Sequence, residues 1–310
     1  MSCLKICGAL LLVLALSTAL EAQVADQDLL VQLQAEQTAF ITMFSGADRS
    51  LDAGTVHARS TEAERRHSAE VLLQALVARG LDAAYHRYQY KNTNPAIDFL
   101  LRPMRGRNVV VNVPATTVDA KRYIVVGAHY DSVAESPGAD DNASGVAAVM
   151  SIAAAINALE KRRFHFVFVW FDQEEDGGSG SKAFAEMMVA DGRQIHSMHN
   201  IDMIGWDSDN DGAVDMEIPT EELLGHYEAA AEDLGIAISP TRFNSSDHLS
   251  FRDLGIDSVC LSEQFSAGDW TPHYHQSTDT VESVNFEYVA KSTLLMMRAL
   301  TALSSDQKAL

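Results

Sequence analysis

Phe164-His165-Phe166-Val167-Phe168-Val169-Trp170-Phe171 runs directly into Asp172-Gln173-Glu174-Glu175-Asp176. The first eight residues are rich in aromatic and β-branched side chains and leave almost no polar face. They read as a strand buried on both sides, the form that strands take in a parallel sheet covered by helices. In an open α/β sheet the carboxyl ends of such strands are where ligands and reacting groups gather. Four carboxylates within five residues follow this one. Their mutual repulsion requires either a solvated loop or a cation. His129-Tyr130-Asp131 and Asp140-Asp141-Asn142 lie upstream, and Asp202 and His275 downstream. Together these segments point to a cluster of divalent metals rather than to a solvated acidic turn.

Working outward, strand and helix signals alternate. Residues 83–90, 107–113, 123–128, 195–201 and 258–261 read as further strands. Residues 28–45, 145–159, 181–190, 221–234 and 286–303 read as helices. Thr61 with Glu64 matches a capping box that opens another helix, which Gly80 closes. This alternation predicts an α/β fold, with a mostly parallel, mixed sheet flanked by helices on both faces. No Pro/Gly-rich linker divides residues 23–310, so they are expected to form a single domain.

The chain has 310 residues, of which 47% are hydrophobic, enough for a large core. Lys5, the apolar run Gly8–Leu16 and the small residues after it resemble a secretory signal, with cleavage expected after Ala22; an uncleaved anchor is the alternative. A secreted or periplasmic location follows. Removal of residues 1–22 would leave Cys260 as the last of three cysteines, hence no internal disulfide. The net charge of −20 argues against nucleic-acid or anionic-membrane partners and suits a protein that binds cations.

Several residue types carry chemistry. His129 follows a buried strand, and Asp131 two residues on is placed to orient the imidazole. Asp140 and Asp141 precede a small-residue turn, where a carboxylate either caps the next helix or bridges two cations. Of Glu174 and Glu175, one can bind metal while the other faces the reacting water as general base. Asp202 ends another strand, as turn residue or ligand. His275 or His273 could complete the set, with Asp279 available to orient His275. Separately, Asp207, Asp209 and Asp211 alternate before Gly212, with Asp215 at the ninth place of an EF-hand-like loop whose twelfth place is Ile218. A structural Ca²⁺ site or a solvated turn are the alternatives there.

Over roughly residues 105–305 these motifs, in this order, resemble the secreted bacterial di-zinc aminopeptidases, the co-catalytic zinc peptidases that include leucyl aminopeptidases. The resemblance implies a sheet of about eight strands and two Zn²⁺ per chain. His129 and Asp202 would hold one ion, Glu175 and His275 the other, and Asp141 would bridge them. It further implies Glu174 as general base, Asp131 as orienter, and peptide substrates with a free amino terminus. Ser246-Asp247-His248 looks like a family segment near the substrate pocket. The unpaired Cys260 departs from relatives that carry a disulfide there. Two other readings stand beside this one: a glutaminyl cyclase-like protein with one zinc, and an inactive receptor-like domain. Arg102, Arg105 and Arg107 could form a clamp for a substrate carboxylate, though they read more readily as surface residues. Residues 23–60 are open to being a removable pro-segment.

Overall fold

The computed structural model describes residues 26–46, 58–90, 104–118, 120–242 and 245–305. The expected signal segment 1–22 and Arg102 lie outside the described residues. Eight strands form one sheet: β1 (Ala83–Tyr90), β2 (Met104–Val113), β3 (Arg122–His129), β4 (His165–Phe171), β5 (Gln194–Ile201), β6 (Val214–Glu217), β7 (Ile238–Thr241) and β8 (Ser258–Ser262). Their spatial order is β1-β2-β4-β3-β5-β8-β6-β7. The central four, β4, β3, β5 and β8, run parallel, while β2 pairs antiparallel with β4 and β6 antiparallel with β8.

Seven helices surround the sheet among the described residues: α1 (26–44), α2 (Glu62–Ala78), α3 (Gly145–Ala158), α4 (Ser179–Ala190), α5 (Glu221–Leu234), α6 (His248–Arg252) and α7 (Phe286–Ser305). Their placement follows from connection handedness. From β3 the chain steps to β4 on one side, then crosses back to β5 on the other. Right-handed crossovers in opposite directions put α3 and α4 on opposite faces. The core divides accordingly. Phe166, Phe168 and Trp170 face the large cluster with α3 and α7, whereas Val167, Val169 and Phe171 pack with Phe184, Met188 and Phe251 from α4 and α6. Each such buried side chain contributes roughly 1.5–3 kcal/mol. The crossing leaves the carboxyl ends of β3, β4 and β5 uncovered along one rim, where ligands bind in open α/β sheets.

Thr61 and Glu64 form the expected capping box. Strands β6 and β7 and the short helix α6 were not legible. Four-residue strands such as Ile238-Ser239-Pro240-Thr241 carry no usable periodicity, and their pairing depends on distant partners. Cys260 is buried and free. Helix α1 places Leu33, Phe40, Ile41 and Phe44 in the core, and Gln37 donates to Thr293 Oγ1 at 2.7 Å. Arg59 is fully buried. These parts of 23–60 belong to the folded core, which speaks against a pro-segment that leaves. Among the described residues, no helix is long and apolar enough to cross a membrane.

Candidate metal centre

His129 is the last residue of β3 and is buried. Its Nδ1 lies 3.2 Å from the Asp131 carbonyl oxygen and 3.5 Å from Asp131 Oδ1. A proton donated from Nδ1 fixes the tautomer and leaves the Nε2 lone pair free for a cation. That Nε2 sits 3.2 Å from Asp141 Oδ1 and 3.3 Å from Asp202 Oδ1. Asp131 has a second task, because Oδ1 accepts the Glu174 N–H at 3.1 Å and Oδ2 the Glu175 N–H at 3.2 Å. One carboxylate therefore sets both the imidazole and the paired glutamates after β4.

Asp141 stands in the irregular turn Ala139–Ser144 before α3. Gly138 enters the turn at φ +61°, and a Cβ there would lie 2.4 Å from the Asp141 carbonyl oxygen. Arg59 clasps the approach to the turn. Its guanidinium donates to the carbonyls of Tyr130 (2.6 Å), Pro137 (2.6 Å) and Gly138 (2.8 Å). Asn142 ties the turn to β5, donating to Ile201 O at 2.9 Å and accepting from Met203 N at 3.3 Å. This link brings Asp202 to Asp141. Asp279 does not orient His275, as the sequence suggested. Its oxygens accept the Asp140 and Asp141 N–H groups at 2.8 and 3.1 Å, because the chain after His275 turns back beneath the Asp141 turn.

The second Asp141 oxygen faces His275 Nε2 at 3.3 Å, and the same Nε2 lies 3.1 Å from Glu175 Oε2. His273 points elsewhere: its Nδ1 meets Thr278 Oγ1 at 2.9 Å and its ring abuts Trp206. Two triads result, His129–Asp141–Asp202 and Asp141–Glu175–His275, sharing Asp141. Glu174 lies in neither and lines the adjoining cavity with both.

The charges in this rim perturb one another. Burial opposes a charge on His129, yet Asp202, Asp131 and Asp141 carry its pKa well above the ordinary value. Burial would lift Asp141, but its contacts with His129 and His275 hold it below the usual carboxylate range. Burial, then Asp141, pushes Glu175 up to about 8. Burial, opposed by His129 and reinforced by Asp247, Asp202 and Asp131, raises Glu174 well above its ordinary value.

The residues fit divalent metal on two observations. Four donor pairs across the triads are 3.1–3.3 Å apart, close to the ~3.3 Å edge of a tetrahedron with zinc–ligand bonds of about 2.0–2.1 Å. Glu175 Oε1 is buried with no hydrogen-bond partner, a costly state for an ionised carboxylate oxygen unless a cation answers it.

The EF-hand-like reading needs correction. The structure gathers Asp207, Asp209 and Asp269. Asp215 lies in β6 with its oxygens on Ser266 N and Oγ, each at 2.7 Å, and Asp211 accepts from Ala213 N at 2.8 Å. Asp269 already accepts from Trp206, Ser208 and Asp209, so this cluster makes no independent case for a cation. Asp269 escaped notice because it is distant in sequence. Arg105 and Arg107 line a separate groove with Arg65, Arg66 and Arg87. Sequence reasoning also missed Arg59, for which no local pattern gives a signal, and the cavity residues Glu217, Phe265 and Trp270.

Fold and site together define a class: an α/β protein with a candidate dinuclear centre at the carboxyl ends of its parallel strands. The chain belongs to peptidase family M28, whose profile matches residues 108–300. It is 30% identical over 191 residues to aminopeptidase YwaD of Bacillus subtilis (strain 168), covering 57% of this chain and 40% of that protein. It is 26% identical over 215 residues to a probable leucine aminopeptidase of Trichophyton verrucosum (strain HKI 0517), covering 63% and 57%. The chain thus spans about half the length of these curated relatives. Among solved structures, the zinc aminopeptidase BSAP of Bacillus subtilis aligns with a TM-score of 0.76 at 16% identity, over 89% of this chain and 96% of that one. LapA aminopeptidase of Legionella pneumophila aligns at 0.72 and 20% identity, over 92% and 74%. Glutaminyl cyclase of Porphyromonas gingivalis aligns at 0.70 and 17%, over 86% and 97%. At these identities the likeness shows the fold, which hydrolases and a cyclase share.

Proposed function

We propose that this chain is an exported zinc aminopeptidase that hydrolyses the amino-terminal residue from peptides. The observation that carries this reading is the shared Asp141, whose two oxygens face two different imidazoles while Glu174 stands free beside both triads. His129 and Asp202 would hold one zinc, Glu175 and His275 the other, with Asp141 between them. Zinc bound there would acidify water and polarise a carbonyl oxygen. Glu174, with its raised pKa, is suited to accept a proton from the attacking water and return it to the departing amide nitrogen. Asp131 keeps Glu174 in place through its backbone N–H. Two complete triads favour this reading over a one-zinc cyclase, and an intact Glu174 favours it over an inactive receptor-like domain. Residues 1–22 would direct export, checked by sequencing the amino terminus of the secreted protein, and residues 23–310 would form the catalytic unit.

The test is metal analysis combined with Glu174→Gln. Two zinc ions per chain are expected, with leucine p-nitroanilide cleaved and the amino-terminally acetylated analogue untouched. A chelator should abolish the activity and zinc should restore it. Glu174→Gln should lower kcat by about 10²–10⁴ at unchanged metal content. One zinc per chain together with pyroglutamate formation would overturn the proposal.

A further inference from the structure

Beside the triads lies a cavity of about 260 Å³. Phe265, Trp270 and Tyr274 form its aromatic wall, with ring centroids 5.5 Å and 5.9 Å apart along the series. This much suits an apolar side chain. Glu217 does not. It lines the same cavity at 5% exposure, and its Oε2 has no hydrogen-bond partner. The nearby imidazole Nε2 of His248 is 3.7 Å away, beyond hydrogen-bond reach. Burial lowers the pKa of that imidazole to about 4, so it supplies no positive charge at neutral pH. Burial, then Asp202 and Asp215, pushes Glu217 itself up to about 8, so without a cation beside it the group holds its proton. An apolar pocket gains nothing from an acid there, whereas a cationic side chain would favour its ionised form.

We propose that Glu217 makes this cavity a pocket for a cationic amino-terminal side chain, so that peptides beginning with lysine or arginine are the substrate class of the site. The inference rests on the peptidase reading above. Sheet register favours it over the other task open to a carboxylate here, binding the substrate's α-amine. Asn200 pairs with Cys260, and Cys260 with Glu217, so these three residues form one row across β5, β8 and β6. Two inter-strand spacings put the Glu217 main chain about 10 Å from that of Asn200, two residues before Asp202. An α-amine lies within about 3 Å of its own carbonyl carbon, so from a carbonyl held at the triads it would meet Glu217 only if that side chain folded back across most of the spacing. The head group of lysine or arginine, on a stem of roughly 6 Å, reaches toward β6 without that. Its methylenes would lie along the aromatic wall while the charge meets Glu217.

The experiment compares kcat/KM of the zinc-loaded full chain on lysine, arginine and leucine p-nitroanilides. The wild type should prefer the two cationic substrates by about tenfold or more, the worth of one charged hydrogen bond. Glu217→Gln should cost them about ten- to a hundredfold while leaving leucine within about threefold, and Glu217→Leu should make leucine the best of the three. A wild type that prefers leucine overturns the inference by itself, whether or not the variants fold. So does a Gln variant that slows all three equally. In both cases turnover of leucine p-nitroanilide leaves the peptidase reading standing; cleavage of none of the three would remove both.

Discussion

Asp131→Asn removes no ligand of either triad, yet it should damage both. The wild-type carboxylate is 2% exposed and accepts two backbone N–H groups, one on each oxygen, from Glu174 and Glu175. An asparagine offers one acceptor oxygen and turns an NH₂ toward the other N–H. One charge-assisted hydrogen bond is lost, worth about 1.5–3 kcal/mol, and a buried donor is left unsatisfied at about 1–3 kcal/mol. The expected loss of stability is therefore about 3–5 kcal/mol. The same change withdraws negative charge from His129 Nδ1, and loss of such an orienting carboxylate typically weakens metal binding by about 10–100-fold. Urea unfolding at fixed free zinc measures the first effect, and zinc titration against a competing chelator the second. Hydrolysis of leucine p-nitroanilide should fall at least about tenfold even at saturating zinc, because Glu174 loses its anchor. Zinc affinity within about twofold of wild type together with a stability change under about 0.5 kcal/mol would refute this assignment.

Two further outcomes follow from the geometry. Arg59→Met leaves the carbonyls of Tyr130, Pro137 and Gly138 without their donors and should cost at least about 3 kcal/mol in urea unfolding; a loss below about 1 kcal/mol would show that the clasp is dispensable. Burial, then Asp202 and Asp215, raises Glu217 to about 8 from 4.5, so the folded chain keeps a proton that the unfolded chain releases. Stability should therefore fall as pH rises from about 4.5 to 8, by up to about 3–5 kcal/mol from this group. Unfolding curves of Glu217→Gln across that range should lack this contribution, and an unchanged pH slope would count against it.

Much of the fold could be read from the chain because the central strands are buried on both faces. Phe164–Phe171 needed no partner to be recognised, since composition alone fits a strand covered by helices. The same holds for β3 and for the Ala-rich α3. The rim strands β6 and β7 are short, and their identity depends on register with β8 and with each other, which no local window contains. The candidate site divides in the same way. His129, Glu174, Glu175 and Asp202 lie at or just beyond the ends of legible strands, so their convergence could be anticipated. Arg59 acts across 71 to 79 residues of sequence. Asp279 and Asp269 lie in loops whose return path is fixed by tertiary packing, and each took a role that sequence spacing had offered to another residue or purpose.

What separates a ligand from a scaffold acid here is not residue type but the kind of group that answers it. The rim buries many carboxylates in a chain of net charge −20. Those that shape it are met by main-chain donors: Asp279 by residues 140 and 141, Asp131 by 174 and 175, Asp140 by Gly205, and Glu263 by Trp206 and Thr271. Asp172 is met by the Arg107 N–H and the Arg65 guanidinium. These donors fix the backbone of the rim, and burial raises Asp140, Asp172, Asp279 and Glu263 above the usual carboxylate range. Such acids are therefore answered by a main-chain donor, an arginine or their own proton rather than by a bound ion. Asp141, Asp202 and Glu175 instead turn their oxygens toward imidazole nitrogens and toward one another's space, and one Glu175 oxygen meets no donor. Unless protons intervene, these are acceptors facing acceptors, and a bound cation is what holds such a set together in a buried rim. The scaffold acids fix the backbone so that the remaining three cannot turn away from each other, and this enforced convergence makes the rim a candidate for two divalent metals rather than an acidic surface.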